Sequence, residues 1–243
     1  MKNAVFNWSG GKDSSLTLYH CLQNKSYAIR YLLTSVNEKF QRISMHGVRR
    51  ELLDKQAESL NIPLIPLLVP ESVSMNEYDR LMKEKLQKFK QEGIDYSIFG
   101  DIFLEDLKKY REERLAQVHI EGVFPIWKRP STELVREFLD LGFKAVTVCV
   151  NEKHLDKSFV GREMDEQFFK DLPHNVDPCG EYGEYHSFVY DGPIFAKPIR
   201  FKRGPIVQRK YEPPPQDSSD QDNYHSSTVN YDTNFWYCDL LLA

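Results

Sequence analysis

No Cys-x-x-Cys pair occurs in these 243 residues. The four cysteines, Cys21, Cys149, Cys179 and Cys238, stand far apart, which excludes a zinc ribbon, a cysteine-held iron–sulfur cluster and a paired-thiol relay. A run of about 18 apolar residues is also missing, so no transmembrane helix and no membrane partner are expected. The opening Met1-Lys2-Asn3 leads into a strand-like segment rather than the apolar core of a signal peptide, and a cytoplasmic location follows. Basic excess is absent too: 32 Lys and Arg face 36 Asp and Glu, a net charge of −4. A large nucleic-acid footprint needs the opposite balance. From Pro213 onward there is no Lys or Arg, only Asp217, Asp220, Asp222, Asp232 and Asp239, so the rest of the chain is close to neutral. What is present in quantity is hydrophobic residue, 41% of the chain, enough for a packed core.

Within that frame one segment is dense in chemistry. After the apolar run Ala4-Val5-Phe6-Asn7-Trp8 comes Ser9-Gly10-Gly11-Lys12-Asp13-Ser14-Ser15, and then a stretch of helical periodicity from Leu16 to Leu22. Adjacent glycines let backbone N–H groups approach a polyphosphate, Lys12 supplies a point charge, and the serines supply hydroxyls at a helix N-terminus whose dipole favours anions. The familiar P-loop is excluded, because it requires Ser or Thr directly after the Lys and here Asp13 follows Lys12. The string resembles instead the pyrophosphate loop of the adenine nucleotide α-hydrolase superfamily. That resemblance implies cleavage of ATP between its α and β phosphates, with the loop holding the departing pyrophosphate.

Apolar runs alternate with amphipathic stretches, the pattern of a doubly wound parallel α/β sheet covered on both faces. Strands are expected at 4–8, 29–36, 63–69, 96–99, 123–126 and 145–150, and helices at 14–23, 48–60, 75–91, 104–118 and 132–141. Ligands of such sheets lie beyond the carboxyl ends of the strands. Gly100-Asp101 occupies that edge after the 96–99 strand, so Asp101 is either a neighbour of the nucleotide and its Mg²⁺ or a cap of the following helix. Arg111 and Arg114, three apart on that helix, either reach a triphosphate or belong to a solvated face.

The chain then divides, by this reading, into an ATP-binding unit at 1–128, a smaller α+β substrate unit at 129–212 and an acidic tail at 213–243. From Phe159 the text is loop-rich, followed by antiparallel strands expected at 187–190, 199–201 and 206–211, punctuated by Asp191-Gly192-Pro193 and Arg203-Gly204-Pro205. The tail begins Pro213-Pro214-Pro215 and reads as a linker, but its end, Phe235-Trp236-Tyr237-Cys238-Asp239-Leu240-Leu241-Leu242, is apolar enough to dock on the body.

A second dense patch is Asp177-Pro178-Cys179-Gly180-Glu181-Tyr182-Gly183-Glu184-Tyr185-His186-Ser187-Phe188. Its glycines permit tight turns, while Glu181, Glu184 and His186 bring polar groups onto a short arc. The arc suits three roles: metal ligation, with a short ligand count; recognition of an ammonium or amine; or removal of a proton from an attacking amine by His186 or a Glu. A Gly-rich turn with solvated acids is the simpler alternative. Cys179 is either a nucleophile or a bystander.

Together the two patches resemble the diphthine–ammonia ligase family. The resemblance rests on Trp8-Ser9-Gly10-Gly11-Lys12-Asp13-Ser14, Gly100-Asp101 followed by Arg114, Gly161-Arg162, and Gly180 through Phe188, in the family's order over the first 200 residues or so. It implies an ATP-dependent, AMP-forming ligase that adenylates a carboxylate and amidates it with ammonia, taken free because no glutaminase segment is present. Lys12, Asp13, Glu181, Glu184 and His186 would be catalytic. Ser9, Gly10, Gly11, Lys12, Asp13, Ser14, Ser15, Gly100, Asp101 and Arg114 would hold ATP, and Asp13 and Asp101 the Mg²⁺. A homodimer is an expected partner state. Archaeal members read Gly-Glu-Gly-Gly-Glu where this chain has Gly180-Glu181-Tyr182-Gly183-Glu184, which places it nearer a bacterial branch and leaves open whether the acceptor is diphthine of elongation factor 2 or another carboxylate. Modification of tRNA or of a small metabolite, and non-catalytic nucleotide sensing, are the competing functions.

Overall fold

The computed structural model describes residues 1–44, 46–210 and 233–243. Its first layer is a mostly parallel sheet. Strand β1 (Lys2–Asn7) lies between β2 (Tyr27–Asn37) and β5 (Tyr96–Ile98); β4 (Leu64–Val69) pairs with the far side of β2, β6 (Glu121–Val123) with β5, and a two-residue β3 (Arg42–Ile43) runs antiparallel to the end of β2. Ala4, Val5 and Phe6 are all fully buried. Alternation along the strand sends Val5 to one face and its two neighbours to the other, as a sheet covered on both sides requires. Helices α1 (Lys12–Asn24) and α2 (Arg50–Leu60) cover one face, and α3 (Met75–Gln91) and α4 (Glu105–Ala116) the other. The expected doubly wound α/β sheet is therefore what the chain forms.

The second layer is antiparallel. After α5 (Ser131–Asp140), strand β7 (Lys144–Asn151) pairs with β8 (Tyr185–Asp191) on one side and β10 (Asn234–Leu242) on the other, and β9 (Phe201–Lys210) lies outside β10. The apolar chain end thus runs through the interior of this sheet, while the linker reading of 213–232 falls outside the described residues. One continuous core joins the α1 and α2 face of the parallel sheet to the antiparallel one, with Leu16, Leu18 and Leu52 in the same cluster as Val146 and Phe188.

Three expectations are corrected. The strands foreseen at 199–201 and 206–211 are one strand, β9. Its partner pairs Cys238 with Ile206 and Leu240 with Arg203, so Gly204 and Pro205 together face the single residue Asp239 as a bulge instead of a turn. The strand at 123–126 ends at Val123, because the chain turns at once, with Trp127 N–H donating to the Phe124 carbonyl. The loop-rich stretch after Phe159 contains a short helix, α6 (Glu166–Asp171), whose first turn is capped by the Asp165 carboxylate on the Phe168 N–H.

Topology positions the site. From β1 the chain moves to β2 through α1, while β5 lies on the other side of β1, so the loops after β1 and β5 part and leave a crevice at their carboxyl ends. Asn7 Nδ2 fastens the two strand ends by donating to Ser97 Oγ at 2.9 Å and the Ile98 carbonyl at 3.0 Å.

Candidate active site

The loop of residues 8–11 leaves β1 and enters α1 with Gly11 as N-cap, which has no side chain of its own to cap the helix. Such an N-terminus keeps its dipole, and the first-turn N–H groups beyond Lys12, for an external anion. Gly10 sits at φ +75, and a Cβ there would stand 2.6 Å from Gln56 Oε1 and 2.8 Å from Leu53 Cδ2. No other residue type fits. Gln56 is buried on α2, accepts the Trp8 indole N–H at 2.9 Å, and donates to the carbonyls of Gly10 and Val189. Within the loop, Ser9 Oγ accepts the Gly11 N–H and bonds Ser14 Oγ, whereas Ser15 is fully buried behind it.

The antiparallel sheet closes one side. Ser187 Oγ accepts the Lys12 N–H at 3.1 Å, and the Val189 N–H donates to the Gly10 carbonyl at 2.9 Å. Lys12 is 3% exposed; its ammonium lies 2.6 Å from Asp13 Oδ2 and donates to the Cys179 carbonyl. Burial pulls its pKa down, but Asp13 with Cys179 and Tyr185 together outweigh that and hold the amine above its ordinary value. Both motifs of the sequence therefore meet on one side chain.

The loop after β5 closes another side. A Cβ on Gly100 would stand 3.1 Å from the Ser14 nitrogen and 3.2 Å from the Asp13 carbonyl carbon and oxygen, which places this loop directly against the start of α1. Burial raises the pKa of Asp101, opposed by Arg111, whose Nε lies 2.8 Å from Asp101 Oδ2, and Asp13 adds to the rise. Glu181 Oε1 accepts the N–H groups of Ile102 at 2.8 Å and Phe103 at 3.4 Å. Its carboxyl is pushed up to about 7 by burial, with the Ile102 bond pulling the other way and Asp13 and Asp101 adding to the rise. Above this cluster the exposed Tyr182 ring lies 5.1 Å from Phe103.

Not every predicted residue joins the cluster. Glu184 is 2% exposed, and its oxygens accept the N–H groups of Asp177 at 3.0 Å and Tyr182 at 2.9 Å, so it braces the 177–184 loop and is not placed for catalysis. Arg114 pairs with Asp79 on α3 at 2.8 Å, beside a cavity of about 270 Å³ lined by α3 and α4 and, at the strand ends, by Asn7 and Ser97. It is Arg111 that reaches Asp101. The Cys179 thiol is raised by burial and bonds the Ser131 carbonyl, which removes it as a nucleophile. His186 points to a different neighbour, stacking on His46 with ring centroids 4.3 Å apart. Both imidazoles are held below their ordinary pKa, His46 at about 4, chiefly by burial. Sequence reasoning overlooked His46, which lies in a turn without periodicity, and Gln56, whose signal was a polar residue inside the apolar stripe of Leu52, Leu53, Ala57 and Leu60.

Among the described residues no three His, Cys, Asp or Glu side chains converge as a ready-made metal site. Mg²⁺ requires none, since it takes one or two carboxylates and completes its shell with water and phosphate oxygens. The hard oxygens of Asp13 and Asp101 beside the phosphate loop are of the type it takes.

Residues 1–120 match the diphthamide synthase N-terminal domain, and residues 130–212 the diphthamide synthase C-terminal domain. The chain belongs to the diphthamide synthase family. Diphthine–ammonia ligase of Danio rerio is 25% identical over 215 residues, covering 79% of this chain and 83% of that protein. The Homo sapiens diphthine–ammonia ligase is 25% identical over 224 residues, covering 82% of each, and that of Saccharomyces cerevisiae 22% identical over 223, covering 77% of this chain and 32% of the longer yeast protein. In diphthamide synthase terms the N-terminal match carries the phosphate loop with Asp101, and the C-terminal match carries Glu181 with Ser187. No described helix is long and apolar enough to cross a membrane.

Proposed function

We propose that the chain is a cytoplasmic, ATP-dependent, AMP-forming amide ligase acting on a carboxylate and ammonia. The observation that carries this reading is the meeting of both motifs on Lys12, a buried cation at a helix N-terminus whose ammonium is held by Asp13 and by the Cys179 carbonyl of the C-terminal unit. In the first step a carboxylate oxygen bonds the α-phosphorus of ATP, the bond to the bridging β-phosphoryl oxygen breaks, and pyrophosphate leaves with the electron pair. Lys12 and the N–H groups of the loop take up its charge. Asp13 and Asp101 would hold Mg²⁺, which screens phosphate charge when bound. In the second step the nitrogen of ammonia bonds the acyl carbon, the carbon–oxygen bond to AMP breaks, and a proton passes to a base. Glu181, with its carboxyl held near 7 beside Asp13 and Asp101, is the group suited to take it, whereas His186 is turned onto His46 and held well below its ordinary pKa by burial.

Diphthine on elongation factor 2 is the acceptor that the similarity to named diphthine–ammonia ligases supports. The test is product analysis with ATP, ammonium chloride and either diphthine-bearing elongation factor 2 or a panel of small carboxylic acids. AMP and pyrophosphate in equal amounts, dependent on acceptor and ammonium, are expected. ADP and phosphate as products would overturn the reading.

A further inference from the structure

The turn that carries His46 and Gly47 belongs to neither the phosphate loop nor the 177–188 patch, yet it touches what both depend on. The His46 ring stacks on His186, the residue that precedes Ser187 on β8, with ring centroids 4.3 Å apart and planes 23° from parallel. The Ser187 carbonyl lies 3.1 Å from where a Cβ on Gly11 would stand, and Ser187 Oγ accepts the Lys12 N–H. His46 therefore stands directly behind the strand residue on which the phosphate loop rests.

The turn itself is held from the far end of the chain. Arg42 Nη1 donates to the Gly47 carbonyl at 2.7 Å and to Asp239 Oδ1 at 2.8 Å, and Arg49 grips Asp239 through Nη2 at 2.7 Å and Nε at 3.1 Å. Gly47 lies so close to the Tyr237 ring that a Cβ would stand 2.9 Å from its Cδ1. Asp239 and Tyr237 are on β10, outside the 130–212 stretch that matches the family's C-terminal domain. Burial would raise the Asp239 carboxyl, but Arg49 and Arg42 hold it at about 2, so the grip persists at any physiological pH.

We propose that His46 is a positioning residue for the phosphate loop, set in place by β10 through Asp239 and Tyr237, so that nucleotide affinity depends on the C-terminal strand. The inference rests on the loop being the ATP site. It names a contribution to that site from residues beyond the matched family domains.

The experiment is titration of the full chain with Mg²⁺ and an ATP analogue carrying a methylene bridge between the α and β phosphates, followed by calorimetry. His46→Ala and Asp239→Ala are each expected to weaken binding about tenfold, the scale of one lost ring contact or ion pair that holds the strand in place. His46→Phe, which keeps a ring to stack on His186, recovers most of the loss, and Asp239→Asn falls between. Arg50→Ala, whose side chain reaches Asp54 and Gln41 among the described residues, binds as the unaltered protein does. Affinities within about twofold of the unaltered protein for both alanine variants would overturn the proposal. So would a His46→Phe variant no better than His46→Ala, with affinity loss tracking loss of thermal stability, since a merely structural turn predicts that. Absence of binding by the unaltered protein would overturn the ATP-site reading itself, and the inference with it.

Discussion

Glu181 Oε1 accepts the backbone N–H of Ile102 at 2.8 Å, so a carboxylate of the C-terminal unit is fastened to the loop that follows β5. The bond brings Glu181 into the field of Asp13 and Asp101, and burial with those two acids moves its carboxyl to about 7 from an ordinary 4.5. Between those values the folded protein keeps a proton that the unfolded chain has released. Stability therefore falls as pH rises through that window, and the loss is complete above it. Glu181→Gln removes the dependence: at pH 8 the variant is expected to exceed the unaltered protein by up to about 3 kcal/mol in urea unfolding, and at pH 4 to equal it. Its turnover should drop by about a hundredfold if the carboxyl handles a proton. Equal stability at both pH values would refute the assignment.

Glu184 gives the contrast. Both its oxygens serve backbone N–H groups, so Glu184→Ala leaves two buried donors unpaired and is expected to destabilise the fold by about 2–3 kcal/mol, read as a lowered urea midpoint. Glu184→Gln, which retains one acceptor, should recover part of the stability and much of the turnover. A Gln variant that is stable but inactive would return Glu184 to the chemistry.

The contrast also marks where the sequence stops being informative. The phosphate loop is legible because strand, adjacent glycines and helix start are contiguous, and Gly100-Asp101 because its place after a strand is enough. Glu181 and Glu184 are indistinguishable by type and spacing. Strand alternation begins only at Tyr185, and the turn before it bends Glu184 back onto Asp177 while Glu181 reaches across to Ile102. Arg111 and Arg114 share a helix face, and what separates them is Asp79 on another helix. Gly204-Pro205 carries the composition of a turn, but pairing with β10 overrides it as a bulge. His46 has no local signal, because its partners lie on β8 and its turn is held by β10.

Lys12 sits fully enclosed between Asp13 and the Cys179 carbonyl, with its ammonium 5.6 Å from the Tyr185 ring centroid. Lys12→Ala is expected to lower pyrophosphate release by about 10²–10³-fold, the scale for losing one preorganised charge on a departing anion. Lys12→Arg should not rescue it, because the planar fork is longer than the enclosure allows. Activity restored by Arg would mean that the charge alone matters and not its placement.

Gly100 tests the contact between the two crevice loops. Gly100→Ala puts a methyl 3.1 Å from the backbone nitrogen of Ser14, so the loop must retreat from the start of α1, and the KM for ATP is expected to rise about tenfold. Gly93→Ala is the control: at φ +79 with no atom within 4 Å of the added carbon, it should cost about 1 kcal/mol of stability and leave KM unchanged. If Gly100→Ala behaved like Gly93→Ala, the loop after β5 would not border the nucleotide.

The two arginines of α4 separate in the same assay. Arg111 neutralises Asp101, 14% exposed, and lies 4.5 Å over the Phe99 ring, so Arg111→Ala leaves a largely buried acid without its partner. A destabilisation of about 3 kcal/mol is expected, together with a higher Mg²⁺ requirement for pyrophosphate release, because the carboxyl that remains is harder to ionise. Arg114→Ala removes the pair with Asp79 and the contact with the Tyr110 ring, both on the α3–α4 side, and should leave ATP affinity within about threefold. The two arginines differ in the carboxylate each holds: Asp101 borders the start of α1 through Gly100, while Asp79 stands on α3. A tenfold loss of ATP affinity in Arg114→Ala would therefore place part of the nucleotide in that cavity, on the opposite face of the sheet from α1.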